Sequence, residues 1–285
     1  MATSSPTVLK WWMALELSRL REAAAVSRQA VAEHLHCALS TVRNAENGRN
    51  FPRPLELRAM LELYGVPERG EQFAELLRSA KKGRDWFEAF PGSAPAWFDL
   101  FLGLESSAGQ IESYDAQVVP GLFQTEAYAA GVIRAGDPEL SDAEVGRRVE
   151  LRLARQAVLT RATDPPSVWS VIDESVLSRA ADPGVLGEQL TQLVKLAELP
   201  TVTVQILPLG AGPHAGTNGT FILFNFPDLT GAPTVAYTDG MIHGQYYEDP
   251  PAVRRYSNAL TRLQVAAAKP ADSLAMLTQR AQELL

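Results

Sequence analysis

The stretch that most constrains this chain is residues 27–48, SRQAVAEHLHCALSTVRNAENG. It reads as two short helices joined by a tight turn. Ser27 is a good N-cap, because its hydroxyl can accept a bond from an orphan N–H of the first turn. Ala30, Val31, Leu35 and Cys37 supply the apolar positions of the first helix and the turn, and Val42 and Ala45 those of the second. Gly48 stands just past the second helix, where a left-handed residue closes it. The remaining positions of the second helix are Leu39, Ser40, Thr41, Arg43 and Asn44. Small hydroxyls, an amide and an arginine on one exposed face suit base edges in a major groove.

Leu20-Arg21-Glu22, Ser27, Ala32-Glu33, Leu35, Ser40-Thr41-Val42 and Glu46-Asn47-Gly48 together resemble the helix-turn-helix of lambda-repressor-like (XRE-family) regulators. The resemblance implies DNA binding. It places Arg21 and Glu46 in a structural salt bridge between helix one and the end of the recognition helix. It also places Arg28 at a helix N-terminus, where a phosphate is favoured. Three positions depart from the family pattern. His36 replaces the turn glycine, so it must tolerate a left-handed backbone or the turn differs. Ala38 stands where a Ser or Thr usually caps the recognition helix, a loss of about 1 kcal/mol. Ala45 replaces a larger aliphatic and thins the core.

Around this stretch, residues 1–7 are expected to be disordered, and helices are expected at about 8–24, 55–64 and 68–82. Met13, Leu17, Leu20 and Ala24 form the core stripe of helix one. Trp11 and Trp12 point to different faces. At least one of them is therefore expected to pack outside the small bundle, against the C-terminal domain, a second copy or DNA. Arg49 and Arg53, in a proline-broken loop, are further phosphate candidates, and Lys81, Lys82 and Arg84 form a basic cluster. Residues 1–84 hold 13 Lys and Arg against 9 Asp and Glu, a balance of +4, whereas the rest hold 13 against 24, a balance of −11. A basic third in an acidic protein points to a local polyanion site. The single cysteine excludes an intramolecular disulfide and fits a reducing cytosol. Cys37 reads as a small core residue. No apolar run is long enough for a membrane span, and no signal peptide is evident.

Residues 83–95 read as a short connector whose Trp86, Phe87 and Phe90 dock on the second domain. Beyond it, helices are expected at 96–108, 124–135, 141–161, 183–198, 251–268 and 271–284. Strands are expected at 111–119, 168–172, 202–207, 219–226 and 234–238. The fold class is thus α+β overall. An all-α five-helix domain over 8–82 precedes an α+β domain over 96–285 with a mixed or antiparallel sheet.

The runs YDAQVVPGLFQTEAYA, RQAVL, VWSVIDESVL, LAELPTVTVQILPLGAGPHAG, GTFILFNFP and YTDG resemble the C-terminal domain of a large actinobacterial regulator group. In that group an XRE-type helix-turn-helix precedes a domain of unknown function, often with a small partner protein encoded nearby. The resemblance supplies no ligand and no catalytic residue. Asp173, Glu174, His214, Asn218 and His243, with Asp239, are the candidates for a ligand or partner site near the glycine-rich loop 210–219. That loop lacks the Gly-Lys-Ser/Thr ending of a phosphate-binding loop. The scattered histidines make metal binding weak, and no nucleophile elbow or dinucleotide fingerprint appears.

The sequence is therefore read as a cytoplasmic transcription regulator that is not an enzyme and needs no cofactor. It binds double-stranded DNA as a homodimer, and its C-terminal domain answers to a partner protein or a small molecule. Two rival readings remain. One is a protein-interaction module, antitoxin-like or sequestered, with weak DNA binding. The other is a small-molecule sensor.

Overall fold

The computed structural model describes residues 5–179, 182–227, 229 and 231–285. It separates into two compact units. One holds residues 5–89 together with Asp99–Ser107, and the other holds Phe90–Phe98 and Ala108–Leu285.

The first unit is a helical bundle: α1 (Pro6–Ala23), α2 (Arg28–His34), α3 (Leu39–Glu46), α4 (Pro54–Leu63), α5 (Gly70–Lys82) and α6 (Asp99–Ser107). Val8, Leu9, Trp12, Met13 and Leu17 of α1 are buried, and Leu57, Met60, Leu61, Phe73 and Leu77 complete the core. Leu20 is only half-buried. Trp12 is spent inside this unit, its ring 6.0 Å from that of Phe73. Of the pair expected to send at least one ring outside the bundle, Trp12 is therefore the one kept within it. Trp11 is half-buried.

The helix begins earlier than expected, because its N-terminus is held from afar. The Thr7 backbone N–H and hydroxyl both donate to the Asp85 carboxylate, at 3.2 and 2.7 Å. The Ser5 hydroxyl bonds the same carboxylate. Residues 5–7 are thus ordered, contrary to the expectation, and residues 1–4 lie outside the described residues. Asp85 introduces a short 3-10 turn, Trp86–Ala89, whose Phe87 is buried and meets Trp86 edge-on at 5.8 Å. These two aromatics belong to the first unit. The expected helix 96–108 is also divided. Ala96–Phe98 is a 3-10 turn in the second unit, and α6 packs with α1 in the first.

The second unit is built on a six-stranded mixed sheet of order β3-β2-β1-β4-β5-β6. Its strands are β1 (Gln110–Asp115), β2 (Ser167–Asp173), β3 (Val202–Leu207), β4 (Phe221–Asn225), β5 (Val235–Thr238) and β6 (Gln245–Tyr247). The first three run parallel, joined through α7 (Glu126–Gly136) with α8 (Asp142–Arg155), and through α9 (Pro183–Leu196). The last three are antiparallel. The chain lays β2 and β3 on one side of β1 and β4 on the other, so the direction of winding switches beside β1. In open sheets of this kind, ligands sit outside the carboxyl ends at such a switch point.

Alternation puts Tyr114, Val171, Leu207, Phe221, Leu223 and Ala236 on one face, packed against Leu260 and Leu263 of α10 (Pro250–Ala266). The β3 edge is sealed where α10 gives way to α11 (Pro270–Leu284). There the Ala268 N–H donates to the Ile206 carbonyl and the Ile206 N–H donates to Ser273 Oγ, both at 2.9 Å. Strand β1 stops at Asp115 rather than running to 119. Helix α8 stops at Arg155 and passes into a 3-10 segment, Gln156–Thr160. Strand β6, too short for a periodic signal, was not foreseen. Among the described residues, no helix is long and apolar enough to cross a membrane.

Candidate nucleic-acid interface

The two short helices form where their caps require. Ser27 Oγ accepts from the Ala30 N–H at 3.1 Å, and α2 starts at Arg28. Val31 and Ala32 are its buried residues, whereas Ala30, expected on the apolar face, is exposed. The turn ends α2 through two bonds, His36 N–H to the Glu33 carbonyl at 3.1 Å and Cys37 N–H to the Ala32 carbonyl at 2.9 Å. These satisfy carbonyls that the helix itself leaves open. The geometry needs a left-handed residue, and His36 supplies it with φ +50°. Helix α3 follows with Ala38 as N-cap and no side-chain cap bond. Cys37 is half-buried rather than a full core residue. Burial pushes its thiol above the ordinary value, and the charge of Glu56 adds to this.

An ion cluster fixes α3. Arg21 on α1 grips Glu46 with two bonds, Nε to Oε1 at 2.6 Å and Nη2 to Oε2 at 3.1 Å, and its Nη1 donates to the Val26 carbonyl at 3.1 Å. Arg28 Nε donates to the same Oε2 at 2.6 Å. The Glu46 side chain is 1 % exposed, that of Arg21 8 % and that of Arg28 44 %. Burial alone would push the Glu46 carboxyl up, but the hydrogen bonds from Arg21 and Arg28 outweigh it and hold the group below its ordinary value. The bond to Glu46 is what most raises Arg21 in turn. Three helices are thus tied by one carboxylate. Arg28, read from the sequence as a phosphate ligand only, is first a member of this clamp. Nearby, the buried Tyr64 hydroxyl has no hydrogen-bond partner among the described residues. Burial and the Glu46 charge raise its pKa. Past α3, Gly48 takes φ +68°, and a Cβ there would meet Ala14 Cβ at 3.6 Å.

Val42, Ala45 and Glu46 turn inward, while Ser40, Thr41 and Arg43 are exposed and Leu39 and Asn44 half-buried. On a helix of 3.6 residues per turn, Ser40, Arg43 and Asn44 share the outward face. Asn47 continues it, exposed, and was not among the sequence candidates. Its signal was present, since 40, 43 and 47 follow helical spacing. The Asn44 carbonyl accepts the N–H of Arg49 at 2.9 Å and that of Asn50 at 3.3 Å, which anchors the following loop to α3. Arg49 and Arg53 are exposed there, and the Arg53 N–H is held by Glu56 Oε2 at 2.7 Å. All eight residues assigned to DNA therefore lie on α3, its following loop or the start of α2.

The second group of candidates is only partly brought together. At the end of β2, Asp173 Oδ2 lies 3.9 Å from His214 Nε2 and 3.5 Å from the Tyr114 hydroxyl. Its Oδ1 accepts the Ser175 N–H at 3.0 Å. His214 Nδ1 accepts the Gly216 N–H at 3.1 Å, and Glu174 Oε2 accepts the Leu209 N–H at 2.7 Å. A Cβ at Gly216 would lie 2.2 Å from the Tyr114 ring, so the glycine-rich loop is seated on the carboxyl end of β1. The three polar residues fasten the loop to the ends of β1 and β2. Asn218 is exposed. His243 is exposed between β5 and β6, three strands from β2 and hence about 14 Å away across the sheet. Asp239 takes the Tyr237 hydroxyl at 3.1 Å. The five-residue site is not assembled as one constellation. Among the described residues, no three His, Cys, Asp or Glu converge as metal ligands.

The family model described as a helix-turn-helix domain matches residues 12–83. That described as a domain of unknown function, DUF5753, matches residues 98–279, more than half of the chain. Neither a curated protein nor a solved structure matches.

Proposed function

We propose that this chain, which belongs to the DUF5753 family and carries a DNA-binding helix-turn-helix domain ahead of it, is a sequence-specific transcriptional regulator of the XRE type that acts as a homodimer. One observation carries the reading. Helix α3 is locked on its inner side by Val42, Ala45 and the doubly held Glu46, and it offers Ser40, Thr41 and Arg43 to solvent. A rigid inner side and a polar outer side are what base reading needs. Arg43 and Asn44 are the strongest base readers by chemistry. Arg49 and Arg53, with the free edge of Arg28, are suited to phosphates. The C-terminal domain controls DNA occupancy through a partner protein or a small ligand, and it performs no catalysis. The actinobacterial origin and cytoplasmic setting rest on the sequence resemblance.

The test is to map bound genomic sites, then titrate Arg43→Ala and Arg49→Ala against an enriched site and against random DNA. Arg43→Ala is expected to lose about 1–3 kcal/mol on the enriched site alone. Arg49→Ala is expected to weaken both DNAs alike. Equal losses on both DNAs for Arg43→Ala would sink its base-reading role.

A second reading, a C-terminal domain built to dock a partner protein, is favoured by Leu209, Met241 and Ile242. These are exposed apolar residues in an otherwise acidic domain. A photo-crosslinker at position 241 in the native host tests it. A discrete adduct is expected, and its absence under conditions where the regulator is bound to DNA counts against a docked partner.

A further inference from the structure

Helix α6 lies within the DUF5753 match in sequence but in the DNA-binding unit in space. Its Phe101, Leu102, Gly103 and Leu104 are buried. A Cβ at Gly103 would lie 2.8 Å from Ser5 Oγ and 3.1 Å from Val8 Cγ2, so α6 rests on α1 at backbone range. Ser107 Oγ accepts the Ser5 N–H at 2.8 Å. Helix α1 runs 18 residues, a rod of about 27 Å at 1.5 Å per residue. Near its far end, Arg21 grips Glu46 of α3, and midway it lies under Gly48. On its other side α6 is two residues from β1 in sequence. One of these, Gly109, is fixed in the sheet. Its N–H donates to the Asn225 carbonyl at 3.0 Å, and its carbonyl accepts the Ser167 N–H at 2.9 Å.

From this placement we infer that α6 is a positioning element of the DNA-binding unit, supplied by the C-terminal family domain. It sets where α1 lies and, through the Arg21–Glu46–Arg28 clamp, how α3 is presented. Packed interiors pass on such shifts because they yield little. The inference deepens the DNA-binding reading and rests on it for its functional consequence. It makes α6 the covalent route by which anything acting on β1 changes DNA affinity.

The experiment uses the full chain with Gly103→Ala, and with Gly103→Ala combined with Ser5→Ala, which removes the oxygen that the new methyl would meet. Two quantities are read: affinity for an enriched genomic site, and the NMR signal of the Arg21 Nε–H in DNA-free protein. Gly103→Ala is expected to shift the Arg21 signal and lower affinity about tenfold (about 1.4 kcal/mol). The fraction folded at the assay temperature should not change, and the double variant should bring both quantities back towards those of Ser5→Ala alone. Ser5→Ala alone is the control for the lost cap. An unmoved Arg21 signal in Gly103→Ala overturns the inference, as does an affinity loss no larger than the unfolded fraction accounts for. If the unaltered protein binds no DNA, the functional reading fails instead. The Arg21 signal and its restoration then still decide whether α6 positions the clamp.

Discussion

At the scale of single residues, two buried carboxyl groups carry opposite pH signatures. Glu46 is held below its ordinary value of 4.5. Its contribution to stability is therefore full above that value and is lost as pH falls through the depressed one. Glu46→Gln leaves Arg21 buried beside a neutral amide. The expected cost is about 3 kcal/mol, the low end for a broken buried pair, because Arg28 keeps one side in water. Thermal melts of the first unit's transition at pH 7 and pH 3 check this, since the gap between wild type and variant should narrow at the lower pH. Asp115 behaves the other way. Its carboxyl is fully enclosed on the sheet, with Ser113 Oγ at 2.6 Å and Ser170 Oγ a further 2.9 Å on. Burial lifts it from 3.8 to about 7, and the Ser113 bond offsets only part of that. The stability linked to its proton is full below the ordinary aspartate value and is lost as pH rises to and through about 7. Three pH units correspond to about 4 kcal/mol. Asp115→Asn cannot ionise, so its denaturant midpoint is expected to stay level between pH 5 and pH 8 while that of the wild type falls. Parallel declines in both proteins would exclude Asp115 as the cause.

At the scale of elements, the recognition helix is held by its neighbours more than by its own sequence. Eight residues are too few for a stable helix in isolation. Ala38 provides no cap bond, and His36 spends backbone strain in a left-handed turn. Ala38→Ser should stabilise the first unit by about 1 kcal/mol. His36→Gly should add about the same by relieving φ +50°. Together they are expected to raise its melting temperature by several degrees with no change in which DNA is bound; a lowered temperature for either variant would mean that the turn is held by contacts of the native side chain. Both weak points were legible in the sequence, because cap and turn chemistry are local. The Arg21–Glu46 pair was legible only through the resemblance to lambda-repressor-like regulators, which implies it. What escaped was non-local. Arg28 reaching Glu46, Asp85 holding the start of α1 and Gly103 resting on Ser5 are contacts between residues 18 to 98 positions apart, which no periodicity records. The sheet was legible as five strands from β-branched and aromatic runs. Three-residue β6 fell below what alternation can reveal, and the parallel order of β1 to β3 followed only from tertiary pairing.

At the scale of the whole molecule, charge is divided so that DNA is met by one part and repelled by the rest. The first 84 residues carry +4 and the remainder −11. Affinity then depends on a few well-placed arginines instead of a diffuse basic surface, and salt becomes the informative variable. Each phosphate neutralised contributes about −0.9 to the slope of log K against log salt. Arg49 and Arg53 are exposed on the loop tied to α3 by the Asn44 carbonyl. If each holds one phosphate, Arg49→Ala with Arg53→Ala should flatten the slope by about 1.8 for one bound chain. Two chains on a two-fold site would double the change to about 3.6. The same double variant should lose affinity equally on the enriched site and on random DNA, whereas Arg43→Ala should lower only the former and leave its slope nearly unchanged. The measurement therefore counts protomers on DNA while it separates phosphate contacts from base contacts. A flattening near 1.8 at saturating protein would assign one chain per site and remove the homodimer from the proposal, and an unchanged slope would remove Arg49 and Arg53 from the interface.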